Sequence, residues 1–145
     1  LTSGICTEES LNVTNQLREK GITIQHLHIT TLKPFGDSLI EDALTKVKYG
    51  IITMENHTTV GGLGTCVAEL IAKKGLPKKL IKIGINDTYL HGASRDYLMN
   101  EYKINSKELI LAVEKLVKYK LDLIMNDNIN FRKKGFISEA QPEAL

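Results

Sequence analysis

Several signatures are missing from this 145-residue chain, and each absence removes a class of protein. No apolar run approaches the ~20 residues of a membrane-spanning helix, so no membrane partner is expected. The opening Leu1-Thr2-Ser3-Gly4 has neither a basic flank nor a long apolar core, so no secretory signal is visible. It also has no initiator Met, as expected of a processed or excised piece. Cysteine is scarce: Cys6 and Cys66 lie far apart and, without secretory features, read as reduced thiols rather than a disulfide or a metal motif. Charge of one sign is scarce too, since a net +2 is too small to argue for nucleic acid. Internal repeats and low-complexity linkers are absent, which leaves one domain. With 42% hydrophobic and 25% charged residues, the composition is that of a globular protein with a sizeable core.

What is present is organised around residues 51–64. Ile51-Ile52-Thr53-Met54 is a short apolar, β-branched run and predicts a buried strand. It turns polar at Glu55-Asn56-His57, crosses Thr58-Thr59 and reaches Gly61, Gly62 and Gly64. A helix follows, with Leu63, Val67, Leu70 and Ile71 on one face, stopped by Gly75 and Pro77. Strand, glycine turn and helix make half of a β-α-β unit. The free N–H groups of the helix start suggest a phosphate cradle, with Glu55, His57, Gly61, Gly62 and Gly64 as candidate anion-binding or interface residues. However, Gly-Gly-x-Gly is neither the dinucleotide fingerprint nor a P-loop, and no Gly-Lys-Ser/Thr follows. The alternative is that the glycines pack helix on sheet or admit another chain. A carboxylate at a strand end beside a histidine is also a possible acid–base pair, though loop hydrogen bonds or an interface explain Glu55 as well.

Along the rest of the chain, Leu1 to Ile5 reads as the end of a strand. Thr7 predicts an N-cap for a helix to about Lys20, with Glu8 and Glu9 in its first turn and Leu11, Val13 and Leu17 on its apolar face. Ile22 to Ile29 predicts a strand whose alternation changes parity, so either both faces are buried or it carries a bulge. Its His26 and His28 lack the further ligands a metal site needs and read as a hydrogen-bonded or interfacial pair. Asp37 or Ser38 caps a short helix holding Leu39, Ile40, Ala43, Leu44 and Val47, and Leu80 to Ile85 predicts another strand. Ser94 caps a short helix through Tyr97, Leu98 and Tyr102. Asn105-Ser106 caps a longer one through Leu109, Ile110, Val113, Leu116 and Val117, with Tyr119 to Met125 as its continuation. The 126–145 tail is polar and patternless, and its Arg132-Lys133-Lys134 run reads as solvated surface. Alternating strands and helices predict an α/β fold with helices on both faces of a mostly parallel sheet.

At this point the motifs meet a family. Glu55, His57, Gly61, Gly62, Leu63 and Gly64 resemble the strand end and helix start of the C-terminal domain of the transketolase family of thiamine-diphosphate enzymes. Gly4 and the helix to Leu17 resemble that domain's opening, and Lys33-Pro34 its loop after the second strand. Gly84, Asp87, Tyr89 and Gly92 resemble its Gly-Asp-Phe-Gly pattern, with Tyr for Phe and a shorter spacing. Tyr102-Lys103-Ile104 stands where the family has Tyr-Gly-Leu. The resemblance covers roughly residues 1–117.

It implies a three-layer α/β/α sandwich on a roughly five-stranded sheet, with residues 1–125 as the domain and 126–145 as an extension. It implies a component of a cytoplasmic enzyme of carbohydrate metabolism (the pentose phosphate pathway), moving a two-carbon ketol unit between sugar phosphates. Thiamine diphosphate and Mg would belong to the full enzyme and not to this chain. Gly36-Asp37-Ser38 lacks the second glycine and the Asn-Asn of the family's diphosphate-binding domain, and Glu55 is not the family's catalytic Glu. No residue here is therefore expected to be catalytic, to hold cofactor or to hold metal. The expected partners are the remaining transketolase domains or an N-terminal subunit, in a homodimer. The alternatives are the same domain of deoxyxylulose phosphate synthase or of an oxo-acid dehydrogenase β-subunit, and a stand-alone anion-binding or interaction module.

Overall fold

A computed structural model describes residues 1–121. The elements run α1 (Cys6–Glu19), α2 (Ser38–Lys46), β1 (Ile51–Thr58), α3 (Leu63–Lys73), β2 (Leu80–Ile85), α4 (Arg95–Glu101) and α5 (Ser106–Val117). β1 and β2 pair in parallel, from Ile51 opposite Leu80 to Thr58 opposite Ile85, and the register shifts between Met54 and Thr58. Thr2 bridges Met54 on one side and His28 on the other, both in parallel. The order across the sheet is therefore residue 28, residue 2, β1, β2. The expected five strands are not found among the described residues: the ladder has two strands, extended by two chain segments at single bridges.

Alternation along β1 sorts the core into two layers. Met54, with Ile83 of β2, packs on Cys6, Val13 and Leu17 of α1 and on Leu109, Ile110 and Val113 of α5. Ile51, of opposite parity, packs on Ile40 and Leu44 of α2 and on Leu63, Val67 and Leu70 of α3. Helices thus cover both faces, which is the α/β/α arrangement expected. Residues 22–29 serve both layers, with Ile22 and Ile24 on the α1/α5 side and Leu27 and Ile29 on the α2/α3 side. This accounts for their change of parity.

The caps at Asp37, Ser94 and Asn105 are as expected, each side chain accepting a backbone N–H of the first turn. Three expectations are corrected. α1 starts earlier than its expected cap, with Ile5 at the N-cap position and Thr7 inside the helix. Its buried face is Cys6, Ser10, Val13, Thr14 and Leu17, while Leu11 is exposed. β1 does not end at Met54 but runs through Glu55, Asn56 and His57. α5 ends at Val117, where Lys118 turns left-handed (φ 63°) and stops the helix before Tyr119. Residues 122–145, with the expected extension and its basic run, lie outside the described residues.

Candidate functional site: the turn between strand β1 and helix α3

Ile51, Thr53 and Glu55 share the β1 face that looks toward α3, because side chains alternate along a strand. Glu55 is the last of them, so its carboxylate reaches the start of the helix that follows. Its Oε2 accepts the Leu63 N–H at 2.7 Å and its Oε1 accepts the Gly64 N–H at 2.8 Å. Glu55 is only 1% exposed. A buried carboxylate must be hydrogen-bonded, and a helix N-terminus favours negative charge; each satisfies the other's requirement. The two N–H groups that an external anion would have to contact are held by this side chain.

The glycines now have separate reasons. A Cβ on Gly62 would overlap the Glu55 carboxylate. One on Gly64 would stand 2.7 Å from Lys82 Cδ and 3.0 Å from Thr53 Oγ1, and one on Gly84 would stand 3.1 Å from Glu55 Cγ. Gly62, Gly64 and Gly84 therefore make room for Glu55 and for the packing of helix on sheet. Gly61 differs: it is exposed and has φ +79°, a left-handed conformation that glycine adopts without strain. Its N–H donates to Thr65 Oγ1 at 2.9 Å. His57 is exposed, with its Nδ1 donating to the Thr58 carbonyl at 3.2 Å. The five candidate residues are thus brought to one turn, but they split into a buried set (Glu55, Gly62, Gly64) and a rim (His57, Gly61).

Two further features stand at the same end of the sheet. Gly4 (φ +57°) precedes α1, and a Cβ there would stand 2.5 Å from Asn56 Oδ1, so the turn after the first segment lies close against the far half of β1. Beside them, Thr2 Oγ1 shares hydrogen bonds with His26 Nε2 (2.8 Å) and Thr7 Oγ1 (3.0 Å), and Thr7 Oγ1 with His28 Nδ1 (2.6 Å). The histidines are hydrogen-bonded through two threonines. Burial holds His26 below its usual pKa, with His28 and Arg18 adding to the effect. Burial likewise pushes the Cys6 thiol up to about 12, with Glu9 and Glu55 adding negative charge nearby. Among the described residues, no group of three or more His, Cys, Asp or Glu side chains could hold a metal ion. Asp37 of the Gly36-Asp37-Ser38 run is occupied as a helix cap, accepting the Leu39 N–H at 2.7 Å. No described helix is long and apolar enough to cross a membrane.

Sequence reasoning offers loop hydrogen bonds for Glu55 but does not name the α3 start as their target, although one signal points there. Glu55 shares the parity of Ile51 and Thr53, and a helix start follows.

Residues 1–109 match the family described as transketolase, C-terminal domain. A relative described as a putative transketolase C-terminal section, from Methanocaldococcus jannaschii, is 35% identical over 109 residues, which is 75% of this chain and 33% of the relative. A subunit of 6-deoxy-6-sulfo-D-fructose transketolase from a Clostridium species is 28% identical, over 83% of this chain and 37% of the relative. A 1-deoxy-D-xylulose-5-phosphate synthase from Aquifex aeolicus is 27% identical over 81% of this chain and 19% of its own length. A solved structure titled a split gene transketolase, inactive beta4 tetramer, superposes with a TM-score of 0.71 at 27% identity, covering 83% of this chain and 39% of that one. The chain therefore spans about a third or less of the length of these curated relatives. With its α/β/α layers and its Glu55-to-Gly64 turn, it belongs to the transketolase C-terminal domain family.

Proposed function

We propose that this domain supports the assembly of a transketolase-like transferase without carrying its reacting groups. The observation behind the reading is the Glu55 carboxylate: the chain's glycine-rich helix start binds its own strand. Neither this turn nor Gly36-Asp37-Ser38 offers a place for thiamine diphosphate and Mg, so the residues described here do not fit that cofactor. The cofactor belongs to the remaining transketolase domains or to an N-terminal subunit. Bound there, it would supply the nucleophilic carbon for ketol transfer.

The rim of the turn is the side offered to that partner. His57 and Gly61 are exposed, Val60 is 66% exposed, and Tyr89 on the loop after β2 is fully exposed. Because β1 and β2 are parallel, both loops leave the same end of the sheet. Exposed apolar groups clustered at one end suit a protein interface. Residues 1–125 act as this domain within a cytoplasmic homodimeric enzyme of the pentose phosphate pathway. The likeness to deoxyxylulose phosphate synthase supports that enzyme as the second reading.

Calorimetry and co-purification test the proposal together. The isolated chain is expected to show no tight binding of thiamine diphosphate with Mg and no turnover of ketose phosphates. It is expected to co-purify with the cofactor-binding portion of its enzyme, and Val60→Asp with Tyr89→Asp should weaken that complex at least tenfold. Tight cofactor binding by the isolated chain would overturn the assignment. Turnover with pyruvate and glyceraldehyde phosphate in the assembled enzyme, rather than with two sugar phosphates, would establish the second reading.

A further inference from the structure

The end of the sheet opposite the Glu55 turn collects positive charge. β1 and β2 start there, at the paired Ile51 and Leu80, and residues 22–29 start there too, because they bridge in parallel. The loops ahead of the two strands meet: Lys78 Nζ donates to the Val47 carbonyl, and Ile51 N–H donates to the Lys79 carbonyl (2.8 Å). α5 ends beside them, since a Cβ on Gly50 would stand 2.8 Å from Leu116 Cδ2. Four helices thus finish at this end, α1, α2, α3 and α5, and each has one cation in its last turn: Arg18, Lys46, Lys73 and Lys115. Lys20, Lys74 and Lys118 stand at the C-caps of three of them. The loops add Lys48, Lys78, Lys79 and Lys120.

The carboxylates nearby are Glu19, Glu41, Asp42, Glu69 and Glu114, of which Glu41 pairs with Lys74 and Asp42 with Lys46. Eleven cations therefore stand against five carboxylates. Basic residues at helix C-termini offset the macrodipole, at about half a charge per helix. Four helices account for about two of the six surplus charges, which leaves about four. The chain's net +2 conceals this surplus, because carboxylates such as Glu8, Glu9, Asp87 and Asp96 gather at the other end.

Two tyrosines stand among these cations. Tyr49 follows Lys48, whose Nζ lies 5.4 Å from the ring centre, and Tyr119 lies between Lys118 and Lys120. They are 55% and 53% exposed, and among the described residues they are the exposed large hydrophobic side chains of these loops. A membrane surface calls for aliphatic or tryptophan side chains that enter the bilayer, and these loops expose none. An acidic peptide would use the charge and leave the rings idle. A single nucleic-acid strand uses both, its phosphates meeting the lysines and its bases the ring faces.

We propose that this end of the sheet binds single-stranded nucleic acid, with the lysines along the phosphates and Tyr49 and Tyr119 stacking on bases. The surface lies away from the Glu55 turn and its rim, so the inference does not depend on the proposed role in enzyme assembly.

The test titrates a fluorescent oligouridine with the full 1–145 chain and reads anisotropy. Micromolar affinity is expected at about 50 mM salt, and with about four phosphates neutralised it should fall about 50-fold by about 200 mM. Lys48→Glu/Lys79→Glu should weaken binding at least tenfold. Lys33→Glu/Lys107→Glu makes the same change of charge at the other end and should leave binding within twofold. Tyr49→Ala and Tyr119→Ala should each weaken it at least fivefold. All six side chains are exposed, so urea midpoints should match the parent's. If Lys48→Glu/Lys79→Glu fails to fold, Lys73→Glu/Lys120→Glu takes its place. The inference is overturned if no binding is seen at about 50 mM salt with about 100 μM chain, if the two charge-reversal pairs act alike, or if both tyrosine variants bind as the parent does. It is also overturned if phosphatidylserine vesicles or polyglutamate bind at least as tightly, with the same dependence on Lys48 and Lys79. Those results would assign the surface to a membrane or to an acidic protein.

Discussion

Replacing Glu55 by glutamine turns one carboxylate oxygen into an NH₂ group and removes the charge, with almost no change in shape. In the folded chain the two oxygens accept separate N–H groups, at 2.7 and 2.8 Å. A glutamine can accept only one, and its NH₂ then faces the other N–H donor to donor. The lost charge-assisted hydrogen bond contributes ~1.5–3 kcal/mol, and the N–H left unpaired costs a further ~1–3 kcal/mol. The loss of negative charge at the α3 N-terminus adds ~0.3–1 kcal/mol. Against these, a buried neutral amide is cheaper to desolvate than a buried carboxylate, which offsets part of the sum. The net expectation for Glu55→Gln is a destabilisation of about 2–3 kcal/mol. Glu55→Ala, which strands both N–H groups, should cost about 3–5 kcal/mol. In urea, with a slope of ~1–3 kcal/mol/M, the glutamine variant's midpoint should fall by roughly 1–2 M at unchanged slope. Amide exchange should accelerate at Leu63 and Gly64 before it does along β2. Stabilities for both variants within about 0.5 kcal/mol of the parent, with Leu63 and Gly64 still protected, would refute the claim that this carboxylate holds the helix start.

Gly62→Ala drives a methyl into the Glu55 carboxylate and should destabilise by about 1–3 kcal/mol in the same unfolding assay, whereas Glu55→Ala/Gly62→Ala should show less than the sum of the single effects. Thr53 is fully buried and its hydroxyl has no partner among the described residues, so the isosteric Thr53→Val should raise stability by about 1 kcal/mol, read as an upward midpoint shift. His26 titrates lower in the folded chain than in the unfolded one, so the unfolded state binds more protons between the two values. Stability from this group is therefore full above the unfolded value of ~6.5 and is lost as pH falls through that value toward the folded one, and His26→Gln should flatten this slope in urea midpoints taken from pH 7.5 to 5. A thiol reagent at pH 8 should leave Cys6 unmodified in the native chain, because burial removes access and thiolate alike. The partly buried Cys66, also raised by burial with Glu69 and Glu55 nearby, should react more slowly than a free thiol; prompt modification of Cys6 would contradict its packing.

Residue types and spacing alone settled the presence of the helices, the caps at Asp37, Ser94 and Asn105 and the span of β2, while a resemblance of motifs pointed to the family. These are local matters: a cap is a side chain reaching two or three residues along its own chain, and a helix face is a period. The division of the core was half legible, because parity separates Ile51 from Met54 but does not say which helix waits on which side. Tertiary structure decided the rest. Thr7 lost its expected role as a cap because Thr2 and His28, from two other segments, bind its hydroxyl. The length of β1 was set by its pairing with β2 across the register shift, overriding the polar Glu55-Asn56-His57 that reads as a loop. Above all, the meaning of the glycine turn depended on where one carboxylate ended up. A free helix start and one already filled by Glu55 have the same sequence, and only the fold of strand against helix brings that side chain within 2.8 Å of the N–H groups it occupies.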